Sequence, residues 1–335
     1  MNKPLLSVCI QTYNHERYVS QCLESVLNQK TDFDFEIIIG EDESTDGTRT
    51  ICKVFEEKYP KKINLFLRSR KDVIYVNGRP TGRFNMIANL QAARGKYIAL
   101  VEGDDFWTDQ NKLQKQIDLL ESRPELSFCF HNVHTLDQST QKIRRNTSLA
   151  YSIKKTTYDQ PDIIAGTYVY NTLSLVFRNN ILIPEWFKSL PYGDKPLVKL
   201  LGLQGSAYFF EEAMGVYRDH SHGTTKSKEW KELSKNHVES TLLLYSNLLQ
   251  EDTKYVDLIR LKIHEMLFLK HMKSKPLMFR LKFAIRGRRL IKSYAKIRYA
   301  SNIHRACYFG VLVSFILFDR SIGIFNRFIS KLGFL

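Results

Sequence analysis

Residues 97–107, YIALVEGDDFW, form an apolar run of strand character that ends abruptly in Glu102, Gly103, Asp104 and Asp105. Two carboxylates about 4 Å apart repel by roughly 4 kcal/mol at an effective dielectric near 20, a cost that a bound divalent cation reverses. Mg2+ and Mn2+ prefer oxygen ligands and are commonly shared between one or two carboxylates and the phosphates of a substrate. Asp104 and Asp105 are therefore the candidate metal ligands, and a nucleoside diphosphate is the natural third party. A solvated acidic turn is the competing interpretation of so short a motif, so the surrounding elements must decide.

Those elements alternate in type. Residues 5–11 (LLSVCIQ) are a compact apolar run, and the polar loop Thr12, Tyr13, Asn14, His15 follows. No basic segment with a longer apolar run precedes it, so no secretory leader is expected. Over residues 18–29, Tyr18, Val19, Cys22, Leu23, Val26 and Leu27 recur at steps of three and four, which predicts a helix with one buried face. Residues 35–40 (FEIIIG) predict a second buried strand that runs into the acidic stretch from Glu41 to Asp46. Strand, helix, strand and helix in alternation imply a mostly parallel sheet with helices on both faces. Ligands of such sheets bind beyond the carboxyl ends of the strands, where Tyr13, Asp42 and the Asp104–Asp105 pair would all emerge.

Further along, residues 63–67 predict a strand and residues 84–94 a helix, with Gly95 as its left-handed stop. Asp109 is the expected cap of a helix that carries Leu113, Ile117 and Leu120 and ends at Pro124. Residues 126–133 predict another strand. His131 and His134 stand at H-x-x-H spacing, but strand alternation separates them, so they are not taken as a metal pair.

The segments SVCIQTYNHERYVSQCLESVLNQ, FEIIIGEDESTDGT and NLQAARGKYIALVEGDDFWTDQNKLQKQIDLLESRPE resemble the family 2 glycosyltransferases of the GT-A fold, over residues 5–125. The resemblance implies inverting transfer of a sugar from a nucleotide-sugar donor, a UDP-sugar by preference, to an acceptor hydroxyl. It implies base stacking by Tyr13, a base or ribose contact from Asp42, and a metal and diphosphate site at Asp104 and Asp105. Gln11 is a further candidate for the base, and Arg83 for the base or diphosphate, since a guanidinium offers paired donors to phosphate oxygens. Glu41 stands where aspartate is commoner in the family, and Gln11 where a small hydroxyl residue or proline is often found. Neither change removes a charge the chemistry needs.

The second half keeps the family's order in GDKPLVKLLGLQGSAYFFEEAMGVYRDHSHG. The resemblance makes Asp194 the catalytic base, with Glu211 and Glu212 as competitors. It places Arg218 at the diphosphate and His220 near the metal, with His222 as the alternative to His220. Helix capping is the structural role that Asp194 would otherwise serve.

A chain of 335 residues accommodates a GT-A domain over 1–225, divided into a nucleotide-sugar half (1–110) and an acceptor half (111–225), plus a helical basic extension over 226–335. Five scattered cysteines without CxxC spacing suit buried thiols of a reducing compartment. The net charge of +15 is concentrated between Glu265 and Asp319, where twelve Lys and Arg residues and no acid are interleaved with apolar side chains. The uncharged run 306–318 spans about 20 Å as a helix, short of the roughly 30 Å hydrocarbon core. The tail therefore predicts attachment to an anionic membrane surface, where each basic residue contributes about 1 kcal/mol.

Nucleic acid is not expected as a partner, because the apolar run favours lipid. A sugar nucleotidyltransferase would need a glycine-rich phosphate loop after the first strand, which Thr12 to His15 do not supply. The remaining rival is a non-catalytic binder of nucleotide-sugars or membranes. The resemblance implies an enzyme peripheral to the cytoplasmic face of a bacterial membrane, acting on a glycan or lipid-linked acceptor in surface polysaccharide synthesis.

Overall fold

The computed structural model describes residues 3–266 apart from 77, 146, 148–154, 167–169, 222, 224–236, 252–253, 261 and 264–265. His222 and the basic tail beyond residue 266 lie outside the described residues.

The amino-terminal half follows the expected alternation: β1 (Leu6–Thr12), α1 (Val19–Leu27), β2 (Phe35–Glu41), α2 (Thr48–Lys58) and β3 (Ile63–Leu67). A small hairpin, β4 (Tyr75–Val76) with β5 (Arg79–Pro80), precedes α3 (Arg83–Ala92), β6 (Tyr97–Glu102), β7 (Phe106–Trp107) and α4 (Lys112–Ser122). The second half contains β8 (Leu126–Asp137), β9 (Lys142–Arg144), β10 (Thr157–Tyr158), α5 (Gln160–Ala165), β11 (Val176–Arg178), α6 (Asp194–Gln204), β12 (Ser206–Asp219) and α7 (His237–Leu248).

Strands β10, β12, β8, β11, β6, β1, β2 and β3 lie side by side in that order, with β7 added on β12 and β9 on β8. The ladders of β1 with β2 and β6, of β2 with β3, and of β8 with β12 are parallel, while β11 is antiparallel to both its neighbours. This mixed sheet with helices on both faces is a GT-A architecture. The seven residues of β2 are all buried, which explains why FEIIIGE reads as a continuous run instead of alternating.

Two apolar layers hold the sheet. One gathers Leu23, Val26, Ile37, Ile39, Leu113 and Ile117 under α1, α2 and α4, and the other gathers Ile38, Met86, Ile87, Phe128, Phe130 and Leu197 under α3 and α6. Each fully buried aliphatic side chain contributes about 1.5–3 kcal/mol by leaving water. Leu244, Tyr245, Leu248 and Ile259 enter the second layer, so the compact unit runs on to Met266, past residue 225. Among the described residues no helix is long and apolar enough to cross a membrane.

Two local expectations are corrected. Gly95 is not a left-handed helix stop: α3 ends at Ala93 in extended backbone, and a Cβ at Gly95 would lie 2.5 Å from the Ser7 amide nitrogen and 2.6 Å from the Leu6 carbonyl carbon. The glycine lets the chain pass against β1. Asp109 does not cap α4 directly, because Asn111 occupies the cap position; Asp109 accepts from the Asn111 amide at 2.8 Å and pairs with Lys115 at 2.7 Å.

Candidate active site

The chain leaves β1 toward β2 on one side and returns through β6 on the other, so β1 and β6 diverge at a topological switch point, where open α/β sheets bind ligands. Their ends are tied together by the Gly103 amide, which donates to the Gln11 carbonyl at 2.8 Å. Gly103 is required there: a Cβ would fall 2.5 Å from Thr12 Oγ1 and 2.9 Å from His15 Nδ1.

At the end of β2, Asp42 is buried and accepts from Arg70 Nη1 at 2.9 Å through Oδ2. Its Oδ1 is buried with no hydrogen-bond partner among the described residues. Burial pushes its carboxyl up to about 6 despite the Arg70 charge. The Arg70 guanidinium lies 4.2 Å from the centroid of the part-exposed Tyr13 ring. Glu43, in left-handed backbone at φ 57°, accepts from the Arg70 amide and, at 3.3 Å, from Ser69 Oγ. Arg70 thus bridges Tyr13 and Asp42, the two residues that the resemblance assigned to the base. Gln11, half-buried at the end of β1, approaches the α3 entry, where a Cβ on Gly82 would lie 3.8 Å from Gln11 Oε1.

The EGDD turn separates its two aspartates. Asp104 is part-exposed, and its Oδ2 lies 3.0 Å from His220 Nε2 and 3.6 Å from His15 Nε2. Burial raises the Asp104 carboxyl, but the His220 hydrogen bond and the charges of both histidines hold it below the ordinary value. His15 was not singled out in the sequence; its position in the loop after β1, three residues from Thr12, is the signal that would have found it. Asp105 turns inward, is 2 % exposed, and accepts from the Arg218 amide at 2.8 Å through Oδ1. Arg218 is also buried: its guanidinium donates to Gln138 and Gln21 and lies over Tyr18 and Phe106. Asp105 and Arg218 thus brace the turn from within, whereas Asp104 is part-exposed and pairs with the buried His220.

Asp194 is the first residue of α6, after the Gly193 cap, and Tyr170 donates to its Oδ2 at 3.3 Å. Glu102, at the end of β6, lies within electrostatic range of both Asp104 and Asp194. Burial, reinforced by the Asp104 charge, pushes its carboxyl up to about 8. Arg83 is buried beside Asp194 and donates to the Phe187 carbonyl at 2.8 Å, so it stands on the Asp194 side of the site instead of beside Tyr13. Glu211 and Glu212 do not end a strand; they sit at a register shift within β12, and Glu212 pairs with Lys115 at 2.8 Å. His131 is buried and His134 part-exposed on opposite faces of β8.

Glu102, Asp104 and Asp105 crowd one turn, and burial together with their mutual repulsion raises Glu102 and Asp105. Buried His220 Nδ1 has no partner among the described residues. Such a turn fits a hard cation, with Asp104 as its oxygen ligand and His220 as a nitrogen neighbour. Among the described residues no three His, Cys, Asp or Glu side chains gather closely enough to enclose a metal.

The fold and this strand-end site define a GT-A protein, and comparison with known families agrees. The family described as Glycosyl transferase family 2 matches residues 7–181, more than half of the chain, and the chain belongs to that family. An uncharacterized protein of Mycobacterium tuberculosis is 31 % identical over 235 residues, 67 % of this chain and 63 % of the relative. The putative teichuronic acid biosynthesis glycosyltransferase TuaG of Bacillus subtilis is 33 % identical over 128 residues, 38 % of this chain and 46 % of TuaG. The alignments thus span less than two thirds of the length of these curated relatives. Among solved structures, S. aureus TarS 1–349 in complex with UDP superposes with TM-score 0.53 at 19 % identity, covering 83 % of this chain and 75 % of that one. The mannosyltransferase PcManGT from Pyrobaculum calidifontis, in complex with GDP-Man and Mn2+, gives TM-score 0.51 at 12 % identity, covering 95 % and 88 %. These likenesses are ones of fold.

Proposed function

We propose that this chain is a metal-dependent, inverting glycosyltransferase that moves a sugar from a nucleoside-diphosphate donor to an acceptor hydroxyl. The observation that carries the reading is the buried, unpartnered Oδ1 of Asp42, whose other oxygen is held by the Arg70 that lies over the Tyr13 ring. A buried carboxylate oxygen calls for a hydrogen-bond donor, and the N3–H of uracil stacked on Tyr13 supplies one. A UDP-sugar is the favoured donor, and thymine or guanine carriers present a comparable N–H.

At the acceptor side Asp194 takes the proton of the attacking hydroxyl. The oxygen lone pair forms the new bond to the anomeric carbon as the bond to the diphosphate oxygen breaks, and its electron pair leaves with the nucleoside diphosphate. Attack opposite the leaving group inverts the carbon. A Mg2+ or Mn2+ held by Asp104 beside His220 supplies neutralisation of the diphosphate charge. Asp105 and Arg218 keep the turn in shape from within, and Arg83 sets the charge around Asp194. The acceptor belongs to a glycan or lipid-linked glycan of a surface polysaccharide, a reading supported by the likeness to TuaG. The basic, apolar tail attaches the enzyme to the cytoplasmic face of an anionic membrane, a reading supported by its twelve cations without an acid.

Thermal unfolding of the full chain in Mn2+ with UDP-, dTDP- and GDP-sugars tests the donor reading. A ligand at a hundred times its dissociation constant stabilises by about 2.7 kcal/mol, so one donor class raises Tm and is hydrolysed slowly. Absence of any shift with all three would overturn it.

A further inference from the structure

Beneath the EGDD turn, α4 packs on β8 through a face that is apolar except at three side chains. Lys112 and Gln116 stand one helical turn apart on α4. Gln116 Nε2 donates to the Ser174 carbonyl at 3.0 Å and lies 3.5 Å from Cys129 Sγ. That contact places Gln116 against the face of β8 that also carries His131, two residues beyond Cys129. Lys112 Nζ lies 3.8 Å from the Trp107 ring centroid. Lys112, Gln116 and His131 are each 0 % exposed.

Lys112 Nζ, Gln116 Oε1 and His131 Nε2 have no hydrogen-bond partner among the described residues. Leaving buried polar atoms unpaired is costly, most of all for a charged one, and such groups are ordinarily satisfied by protein or by ordered water. The character of each orphan identifies what is missing. His131 Nδ1 lies 2.7 Å from the Asn132 carbonyl oxygen, which can only accept, so Nδ1 carries the hydrogen and Nε2 is a bare acceptor. Gln116 Oε1 is an acceptor and the Lys112 amine is a donor. A chloride would need donors where two of the three groups accept, and a second cation would face the ammonium. Water accepts one hydrogen bond and donates two, which matches the set, and two to four polar partners are what an internal water needs.

We infer that one ordered water molecule lies between α4 and β8, accepting from Lys112 Nζ and donating to Gln116 Oε1 and His131 Nε2. The site is internal and separate from the donor cleft. It keeps a hydrated amine against Trp107, whose indole N–H donates to the Leu173 carbonyl at 2.8 Å.

A crystal structure of the full chain at about 1.8 Å resolution tests this directly. The expected result is a density peak within about 3.2 Å of all three atoms. No peak, or a direct bond from Lys112 Nζ to His131 Nε2 or Gln116 Oε1, would overturn the inference. A double-mutant cycle of Lys112→Met and His131→Phe gives an independent reading. Groups that share one water lose it together, so their effects on the unfolding equilibrium depart from additivity by about threefold or more. Additive effects count against the bridge.

Discussion

Arg70 and Asp42 are joined by a single hydrogen bond, Nη1 to Oδ2 at 2.9 Å, which occupies one carboxylate oxygen and leaves the other buried and unpartnered. The same guanidinium lies over Tyr13, so one arginine orders both the stacking ring and the acid proposed to read the base. Glu43 holds Arg70 from its backbone, which fixes where the guanidinium falls.

Arg70→Ala should therefore raise the donor KM by about tenfold to a hundredfold, the equivalent of one hydrogen bond to a charged group, with a smaller change in kcat. Steady-state kinetics with varied donor at saturating acceptor checks it. An unchanged donor KM would remove Arg70 from the base site.

Asp42 also sets a pH dependence. Its carboxyl titrates near 6 when folded, against an ordinary 3.8. Between those values the folded state binds the extra proton, so this residue's contribution to stability falls as pH rises through the window, by at most about 3 kcal/mol. Donor binding runs the other way, because the ionised carboxylate is the stronger acceptor for the base N–H, and donor affinity should rise as pH passes about 6. Asp42→Asn should raise Tm at pH 7 and flatten stability between pH 4 and 6 while weakening the donor. Scanning calorimetry and donor titration on the same samples read both signs.

Gly95→Ala is expected to destabilise by about 1–3 kcal/mol, as overpacking does. The added carbon would meet backbone atoms of Leu6 and Ser7, which cannot rotate away as a flexible side chain could. Chemical denaturation gives the value. A neutral effect would mean that β1 and the chain entering β6 separate at little cost.

The frame of the site was legible in the sequence because it is made of apolar runs. IIIG and YIALVE are buried on both sides, and the acids that stop them mark strand ends whatever the tertiary context. Some of what the sequence did not give was local, as where the α4 cap moved from Asp109 to Asn111, and the rest concerned contacts between distant segments. Gly95 reads as a helix stop until β1 is seen to run against it, and nothing in the GDD motif itself tells that Asp105 turns to the Arg218 amide while Asp104 turns to His220. Asp105 answers the Arg218 amide, 113 residues away. His15 and Arg70 carry no periodic signal, since His15 lies in a polar loop and Arg70 in a single 3-10 turn, and each gains a role only through Asp104 or Asp42.

Asp104→Asn should lower kcat by about a hundredfold or more, and Mn2+ should no longer protect the variant against thermal unfolding. His15→Ala and His220→Ala separate the two histidines that flank Asp104. His220, the nearer at 3.0 Å, should weaken Mn2+ binding more than His15 at 3.6 Å, as read by Mn2+ electron paramagnetic resonance. Retained Mn2+ binding in Asp104→Asn would transfer the cation to Glu102 or Asp105.

Asp194→Asn tests the proton transfer itself. Loss of a general base costs about 10²–10⁴-fold in rate, so kcat should fall in that range while donor affinity stays within about twofold, because Asp194 belongs to the first turn of α6 and not to the base pocket. Asparagine keeps the shape and still accepts from Tyr170, which preserves the fold. Glu212→Gln is the matched control: Glu212 is held by Lys115 at a register shift of β12, and its loss should leave turnover within about twofold. The reverse result, in which Glu212→Gln is inactive and Asp194→Asn turns over normally, would move the base from α6 to β12.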